Sequence, residues 1–402
     1  MGGGNAVVVG GGIGGLAAAI GLRRVGWEVT VLERSAALGD AGAGISLHAN
    51  GIRALDALGV GEAVREAARP QYTGGTRVPG GGWLARMDGA ALERALGTPI
   101  VGIPRAALHR SLRAALPADR LLVGAEVTSL DLTVPDRVGV VTGEGVREAD
   151  LVVAADGVNS ALRALLFPGH PGPAYSGSTV LRAITDSPVP LASDFELTWG
   201  RGAEFGHIAF ADGRAEWHAV LNSPPAVRHP DPLAVLRRRF RDWHEPIPAL
   251  LAATRPEAVL HHDIHELATP LPSFVAGRAV LLGDAAHAMT PNLGQGACQA
   301  LEDAVSLAAA LAGASGEGGC ADASGIGSAL ARYDAERRPR SQAVARAARQ
   351  AGRMGQQLSH PVAVSVRNTA LRAAPDRATL RAILRHADWT PPRLPLPLPR
   401  NL

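Results

Sequence analysis

The stretch LLGDAAHAMTPNLGQGACQALED, residues 281–303, decides the fold of this chain. The apolar residues before Gly283 and Asp284 predict a buried strand that ends there. The proline and glycines that follow predict a tight turn, and apolar residues at helical spacing over 297–311 predict a helix directly after it. This order places a carboxylate and free backbone N–H groups at one edge of a sheet, where α/β proteins bind ligands.

A glycine-rich turn near the amino terminus is the second informative motif. The apolar residues 6–9 lead into Gly10, Gly12 and Gly15 at G-x-G-x-x-G spacing. In a chain with 48 glycines an isolated match would be a weak indication, and a purely structural turn is the alternative. Here a strand precedes the turn, a helix follows it, and Glu33 comes 18 positions after Gly15. This context favours a dinucleotide site with Glu33 on a ribose hydroxyl.

A third apolar run, DLVVAADG at residues 150–157, also predicts a buried strand, which ends at Asp156 and Gly157. Alone, Asp-Gly would indicate only a turn. Because the carboxyl ends of parallel strands meet at one edge of a sheet, the three motifs are expected in one domain.

Together, in this order and at these separations, the motifs resemble the FAD-dependent aromatic hydroxylases, which are single-component class A flavoprotein monooxygenases. The resemblance extends to residues 44–59 and to Pro104 with Arg105, and is greatest to the salicylate hydroxylase-like, urate hydroxylase-like and zeaxanthin epoxidase-like branch. It implies an α/β fold with a three-layer, Rossmann-like FAD-binding domain of the para-hydroxybenzoate hydroxylase type, an inserted antiparallel β-sheet substrate domain, and C-terminal helices.

The expected domains are discontinuous along the chain. Residues 1–70, 98–170 and 265–340 are expected to form the FAD-binding domain. Residues 71–97 and 171–264 are expected to form the substrate-binding sheet, because their apolar alternation is divided by glycine turns. Residues 341–402 are expected to form C-terminal helices and a proline-rich tail.

The resemblance implies a monooxygenase that uses FAD, NAD(P)H and O2 to hydroxylate or epoxidise a small aromatic, polyketide-like or alkene substrate through a flavin C4a-hydroperoxide. Only one dinucleotide fingerprint occurs, so NAD(P)H is expected as a transient co-substrate. Two alternatives stay open: an FAD-dependent reductase of the geranylgeranyl-reductase type, and a flavin-binding accessory protein without turnover.

The resemblance also assigns cofactor-binding residues one by one. The glycines of the first turn approach the pyrophosphate, Glu33 and Arg34 lie at the adenosine, and Asp284 binds the ribityl chain. The full set implied for FAD is Gly10, Gly12, Gly14, Gly15, Glu33, Arg34, Ser46, Arg105, Val127, Asp156, Gly157, Asp284, Gly294, Gln295, Gly296, Ala297 and Cys298.

The substrate side is less well marked. The candidates there are Arg182, His207, Trp217 and Pro291, and a histidine on this sheet face could deprotonate a phenol. A histidine satisfied by packing is the alternative, for His207 and His218 alike. Leu181 and Glu216 depart from the tryptophan and tyrosine that many relatives carry, so no substrate is implied by the resemblance.

Composition restricts the remaining possibilities. The 402 residues are 47% hydrophobic, and 40 basic against 37 acidic side chains give a net charge of +3. A balance this close argues against a nucleic-acid partner. Two cysteines, no apolar run of membrane-spanning length and no recognisable leader favour a cytoplasmic monomer or homodimer that binds a small molecule.

A metal site on one strand is a further alternative. On a strand, His261, Asp263 and His265 would share one face, as an iron triad requires. A connecting strand with polar residues is the simpler interpretation, so no metal is expected.

Overall fold

The computed structural model describes residues 4–37, 43–312 and 323–395. The strands, in chain order, are β1 (Asn5–Val9), β2 (Glu28–Glu33), β3 (Gly44–Leu47), β4 (Arg69–Gln71), β5 (Thr73–Arg77), β6 (Trp83–Asp88), β7 (Ile100–Pro104), β8 (Leu121–Val123), β9 (Val127–Asp131), β10 (Val138–Thr142), β11 (Gly145–Ala149), β12 (Leu151–Ala154), β13 (Ala174–Ile184), β14 (Phe195–Trp199), β15 (Ala203–Ala209), β16 (Ala215–Asn222), β17 (Leu260–Glu266), β18 (Val275–Ala276) and β19 (Ala279–Leu281).

The helices, in chain order, are α1 (Ile13–Arg24), α2 (Ala49–Ala57), α3 (Gly61–Glu66), α4 (Gly89–Leu96), α5 (Arg105–Ala114), α6 (Ala161–Leu166), α7 (Pro232–Phe240), α8 (Ile247–Ala252), α9 (Asp284–His287), α10 (Gly296–Leu311), α11 (Ala323–Met354), α12 (Pro361–Ala373) and α13 (Asp376–Ala387). In the part of the chain that the structure describes, none of them is both long enough and apolar enough to cross a lipid bilayer.

A six-stranded sheet brings together strands that are far apart in sequence. Its order is β18-β19-β12-β1-β2-β8, and all neighbours run parallel except β18 and β19. The central strands are apolar on both faces, as expected for a parallel sheet covered on two sides. Helices α1 and α10 pack against each other and belong to the same hydrophobic core.

A seven-stranded sheet with the order β17-β13-β16-β15-β14-β5-β6 forms the second large layer. Its pairs are antiparallel except β14 and β5, which run parallel. One face packs on α7 and α8 through a separate core that includes Phe205, Trp217 and Phe240. The α/β class with an inserted sheet is therefore confirmed, although the inserted sheet is mixed at one pair.

Two predicted boundaries fall inside secondary-structure elements. The boundary expected at residue 341 lies within α11, which continues through Pro339. Strand β17 runs to Glu266, two residues past the expected boundary. The predicted proline-rich tail is described only to residue 395, and residues 391–395 form neither helix nor strand.

Candidate functional site

Three neighbouring strands of the six-stranded sheet end side by side, and each leads into one of the motifs. Strand β1 leads to Gly10, β12 to Asp156 and β19 to Asp284. A cleft of about 250 Å³ opens at this edge. The predicted residues in its wall are Gly10, Gly12, Glu33, Arg34, Val127, Asp156 and Gly157.

The glycine turn after β1 fits tightly against its surroundings at two positions and is open at a third. Gly10 has a φ of +110°, and a Cβ there would lie 2.3 Å from the carbonyl oxygen of Ala155. A Cβ on Gly15 would lie 1.9 Å from the carbonyl oxygen of Gly10. A Cβ on Gly12 would meet no atom within 4 Å. The first and last of these glycines are therefore required by packing, and the middle one leaves space in the cleft.

Glu33 ends β2 and fixes the same turn. Its Oε2 accepts a 2.7 Å hydrogen bond from the Gly11 amide, and its Oε1 accepts a 2.8 Å bond from the Ser35 amide. Burial alone would raise the pKa of Glu33, but the two amides and nearby Arg34 lower it below its usual value. The carboxylate is therefore ionised at neutral pH.

The loop after β12 is held by its own side chains. Asp156 accepts hydrogen bonds from the Ser160 hydroxyl at 2.6 Å and the Leu162 amide at 3.1 Å. Arg163 donates to the carbonyl oxygen of Ala285 at 3.1 Å, which ties this loop to α9. A role for Arg163 was not predicted, because an arginine inside a short helix carries no pattern of its own.

Asp284 and Arg105 lie near each other and have unused hydrogen-bonding capacity. Both residues are exposed, and within the described ranges neither side chain has a hydrogen-bond partner. Burial among the surrounding walls raises the pKa of Asp284, although His287 and Arg105 oppose the shift. Burial and the charge of Arg182 lower the pKa of Arg105, and Asp284 opposes this. An acceptor and a donor thus stand ready for a ligand.

The turn before α10 presents backbone rather than side chains. Gly294 has a φ of +61°, and a Cβ on Gly296 would meet no atom within 4 Å. Gln295 is buried and accepts a 2.8 Å hydrogen bond from Asn50. Cys298 is also buried, which raises the pKa of its thiol to about 12. The side chains of Gln295 and Cys298 therefore lie in the core, and the backbone of residues 294–298 is what this turn can present to a ligand.

A buried network of charges supports this helix. Arg337 donates to Asp303 at 2.7 Å and to Glu302 at 2.5 Å, and all three side chains are fully buried. Asp303 also lies 2.6 Å from His287 Nε2 and accepts a 3.0 Å bond from the Gly283 amide. The network therefore joins α10 and α11 to the strand end that carries Asp284.

The remaining predicted residues lie on α1, α5 and β3. Gly14 and Gly15 belong to the first turn of α1, and Arg105 begins α5 directly after β7. Ser46 lies on β3, opposite Gly102 of β7. His109, which was not predicted, places its Nε2 2.7 Å from the carbonyl oxygen of Gly11.

The predicted substrate face is wrong for two of its members. His207 is directly opposite Trp217 across β15 and β16, so both side chains point to the same side. That side is the core under α7 and α8, where Trp217 stacks on Phe205 and donates a 2.8 Å bond to Thr254. His207 is 2% exposed and lies 3.1 Å from the carbonyl oxygen of Ser193. Neither can contact a ligand in the cleft.

Arg182 points to the other side of the sheet, because its partner across β16 is His218. Its guanidinium donates to Glu216 at 2.7 Å and to the carbonyl oxygen of Gly44 at 2.7 Å. Gly44 begins β3, whose partner β7 ends next to Arg105. The face with Arg182, Glu216 and His218 therefore looks towards the cleft domain. Pro291, in the turn before α10, is exposed.

The histidine-rich strand β17 divides its side chains between two faces. Asp263 accepts hydrogen bonds from the Thr179 hydroxyl and the Ala226 amide, both at 2.8 Å. His261 lies opposite Leu181, on the side of α7 and α8. Among the residues that the structure describes, no three histidine, cysteine or acidic side chains are grouped to hold a metal ion.

Comparisons with known proteins agree with this geometry. The family model described as FAD binding domain matches residues 5–348. Aurachin C monooxygenase/isomerase of Stigmatella aurantiaca is 38% identical over 353 residues, which cover 87% of this chain and 89% of that protein. The 3-amino-4-hydroxybenzoate 2-monooxygenase PtnB3 of Streptomyces platensis is 37% identical, with 86% and 87% covered. Klebsiella pneumoniae HpxO, solved with FAD and uric acid, has a TM-score of 0.87 at 26% identity and covers 95% of this chain and 96% of its own.

Proposed function

Because this chain belongs to the FAD binding domain family and is an FAD-dependent monooxygenase that uses NAD(P)H and O2, we propose that it oxygenates a small aromatic substrate held between the cleft and the seven-stranded sheet. The observation that carries the proposal is the meeting of Gly10, Asp156 and Asp284 at one sheet edge, opposite the sheet face that carries Arg182.

The residues of the cleft fit FAD. The open space above Gly12 is where a pyrophosphate can approach the backbone, and the first turn of α1 offers free amides to it. Glu33 is ionised and lies at the adenosine end, where a ribose hydroxyl needs an acceptor. The unpartnered Asp284 and Arg105 suit the ribityl hydroxyls and the middle section of the cofactor.

The chemistry that bound FAD supplies is electron transfer from NAD(P)H and activation of O2. The chain itself orients the cofactor and the substrate. The amides of Gly296 and Ala297 begin α10, where the helix dipole favours negative charge on a neighbouring group. The network around Arg337 keeps this helix start in place beside Asp284.

We assign two functional units on this basis. The six-stranded sheet with α1, α10 and most of α11 is the FAD-binding unit, and the seven-stranded sheet with α7 and α8 is the substrate-binding unit. Helix α4 packs with Ala49, Ile100 and Ala387 rather than on the second sheet, so we place residues 89–97 with the first unit.

An aromatic substrate suits the sheet face opposite the cleft. Phe195, Leu197 and Trp199 of β14 are half-buried and share that face with Arg182 and Glu216. Half-buried apolar and aromatic side chains on the same sheet face as a cation fit a flat ring with a polar substituent. The named relatives support the same class, since one acts on 3-amino-4-hydroxybenzoate and one was solved with uric acid.

Glu33→Gln is expected to weaken FAD binding about tenfold, because a carboxamide cannot accept from both the Gly11 and Ser35 amides and leaves one of them unsatisfied. FAD affinity would be measured by titration of the apoprotein followed by flavin fluorescence. Glu28→Gln, at the exposed start of the same strand, is the control and should bind FAD like the original protein. Equal affinity in Glu33→Gln would remove Glu33 from the cofactor site.

The oxygenation itself is tested with the FAD-loaded protein, NADH or NADPH, and ¹⁸O2. With 3-amino-4-hydroxybenzoate and related hydroxylated aromatics as probes, we expect faster NAD(P)H oxidation and one labelled oxygen atom in the product. Reduction of a double bond without label would indicate a reductase, and no ligand-dependent NAD(P)H oxidation would indicate an accessory protein.

We also infer a cytoplasmic protein that acts as a monomer or homodimer. Its need for NAD(P)H supports the location, and so does the free, buried Cys298, since disulfides are rare in the reducing cytoplasm. Sedimentation of the FAD-loaded protein would decide the oligomeric state.

A further inference from the structure

One line of ionisable side chains on the cleft-facing side of the seven-stranded sheet has no part in holding FAD. His218 Nδ1 lies 3.2 Å from Glu216 Oε2, and its Nε2 lies 3.8 Å from Glu204 Oε1. Glu204 accepts a 2.6 Å hydrogen bond from Trp199 Nε1, and Glu216 accepts from Arg182. The imidazole is therefore held between two carboxylates that are themselves anchored.

Among His218 and its two carboxylate neighbours, the imidazole is the group that remains accessible to a ligand. The side chains of Glu216 and Glu204 are 0% and 6% exposed, whereas 18% of the His218 side chain is exposed. At 3.8 Å from Glu204, Nε2 is beyond hydrogen-bonding distance, and no other group in the described part of the chain bonds to it. Its N–H is consequently available.

The neighbouring strand is shaped to receive the ring. Gly206 of β15 lies directly opposite His218, and a Cβ there would lie 2.3 Å from Nε2 and 2.5 Å from Cε1. Any larger residue would displace the imidazole from its place between the carboxylates. The position of the His218 ring therefore depends on the absence of a side chain at Gly206.

The charges around His218 favour its protonated form. Burial lowers the pKa of His218, but Glu216 on the same strand and Glu204 on β15 outweigh this and raise it above 6.5. Arg182 on β13 opposes the rise, although its own charge is taken up by Glu216. The charges of His218 and Glu216 also influence the pKa of His207, which lies on the opposite face of β15. These neighbours therefore favour a positively charged N–H on this face of the sheet.

We propose that His218 is an oxyanion-binding residue of the substrate site, which positions the substrate by donating its Nε2–H to an ionised ring oxygen. The proposal rests on the proposed function for the location of the substrate. The substrate binds already ionised, so no proton transfer within the site is required. The Nε and Nη2 of Arg182 are bonded to Glu216 and Gly44, so His218 Nε2 adds a donor whose hydrogen is not already used on this face.

The probe is 4-nitrophenol, whose ionised form is yellow and whose neutral form is not, bound to the FAD-loaded protein. Its methyl ether, 4-nitroanisole, has the same ring but cannot ionise. We expect the bound phenol to ionise about one pH unit lower than the free phenol. We expect the ether to bind about tenfold more weakly, since it loses a charge-assisted hydrogen bond.

His218→Gln should abolish both effects while FAD content stays unchanged. His261→Gln, on the opposite side of the same sheet, is the matched control and should preserve them. Glu204→Gln keeps the imidazole but removes one carboxylate. Because binding needs protonated His218, this variant should lose nitrophenolate at a lower pH than the original protein.

The inference is overturned if 4-nitrophenol does not bind at millimolar concentration, if its ionisation is unchanged on binding, or if His218→Gln retains the shift. Oxygen labelling separates this result from the proposed function. Labelled product with no effect of His218→Gln on nitrophenol would defeat only the oxyanion site. A His218-dependent shift without labelled product would defeat only the oxygenation.

Discussion

Gly12→Val is expected to abolish FAD loading at physiological cofactor concentrations while leaving the protein folded. The backbone of Gly12 has a φ of −74° and a ψ of −179°, which any residue can adopt, and its missing Cβ points into open space. The valine side chain would occupy the place of the pyrophosphate. Overpacking of this kind costs about 1–3 kcal/mol, so affinity for FAD should fall up to about 100-fold.

The measurement is FAD titration of apoprotein, with thermal unfolding of the apoprotein measured alongside. The apoprotein should lose less than about 1 kcal/mol, the scale of a changed helix cap. Gly80→Val is the control, since Gly80 is also open on its Cβ side but lies in the turn between β5 and β6. Unaltered FAD binding by Gly12→Val would show that the cofactor does not approach this turn.

Arg337→Met is expected to give the largest loss of stability among single changes outside the cleft. It would leave Glu302 and Asp303 fully buried without their shared guanidinium. Removing one partner of a buried ion pair costs about 3–5 kcal/mol, a large part of the stability of an ordinary domain. Urea unfolding of the apoprotein measures it directly. Arg338→Met, which removes a partly exposed pair with Asp334, should cost about 0.5 kcal/mol.

The difference between Arg337→Met and the original protein should also depend on pH. Burial alone would raise the pKa of Asp303, but His287 and Arg337 outweigh it and lower it from 3.8 to about 2. A carboxyl group with a depressed pKa stabilises the fold above its unfolded pKa and loses this effect as pH falls towards its folded pKa. The difference in the free energy of unfolding should therefore be largest above about pH 5 and decrease between about pH 4 and pH 2. A difference that grows in acid would contradict the assigned role of Arg337.

The family, the fold class and the cofactor were predictable because their determinants are local. Apolar runs that end in Gly10, Asp156 and Asp284 predict strand ends, and parallel strands bring such ends to one edge. The charged network around Arg337 was not predictable, because its members come from separate helices and share no spacing. Their polarity alone would have favoured an exposed position.

The sheet face that we propose contacts the substrate could not be predicted from the sequence alone. Alternation along β15 and β16 separates His207 and Trp217 from Gly206 and His218, but it does not say which set faces the cleft. Tertiary contacts decide which set faces the cleft. Trp217 donates a hydrogen bond to Thr254 and packs in the core under α7 and α8, whereas Arg182 donates to the carbonyl oxygen of Gly44. A shift of one residue in the assignment of faces exchanges the buried His207 for the half-buried His218.

The strand order of the six-stranded sheet sets the time at which the cleft can form during biosynthesis. Strand β1 pairs with β12, about 145 residues later, and β12 pairs with β19, about 130 residues later again. A ribosome has therefore made most of the chain before β19, the strand that leads to Asp284, can join the sheet. The glycine turn is made first, and a site that also includes Asp284 can form only after residues 279–281 have been translated.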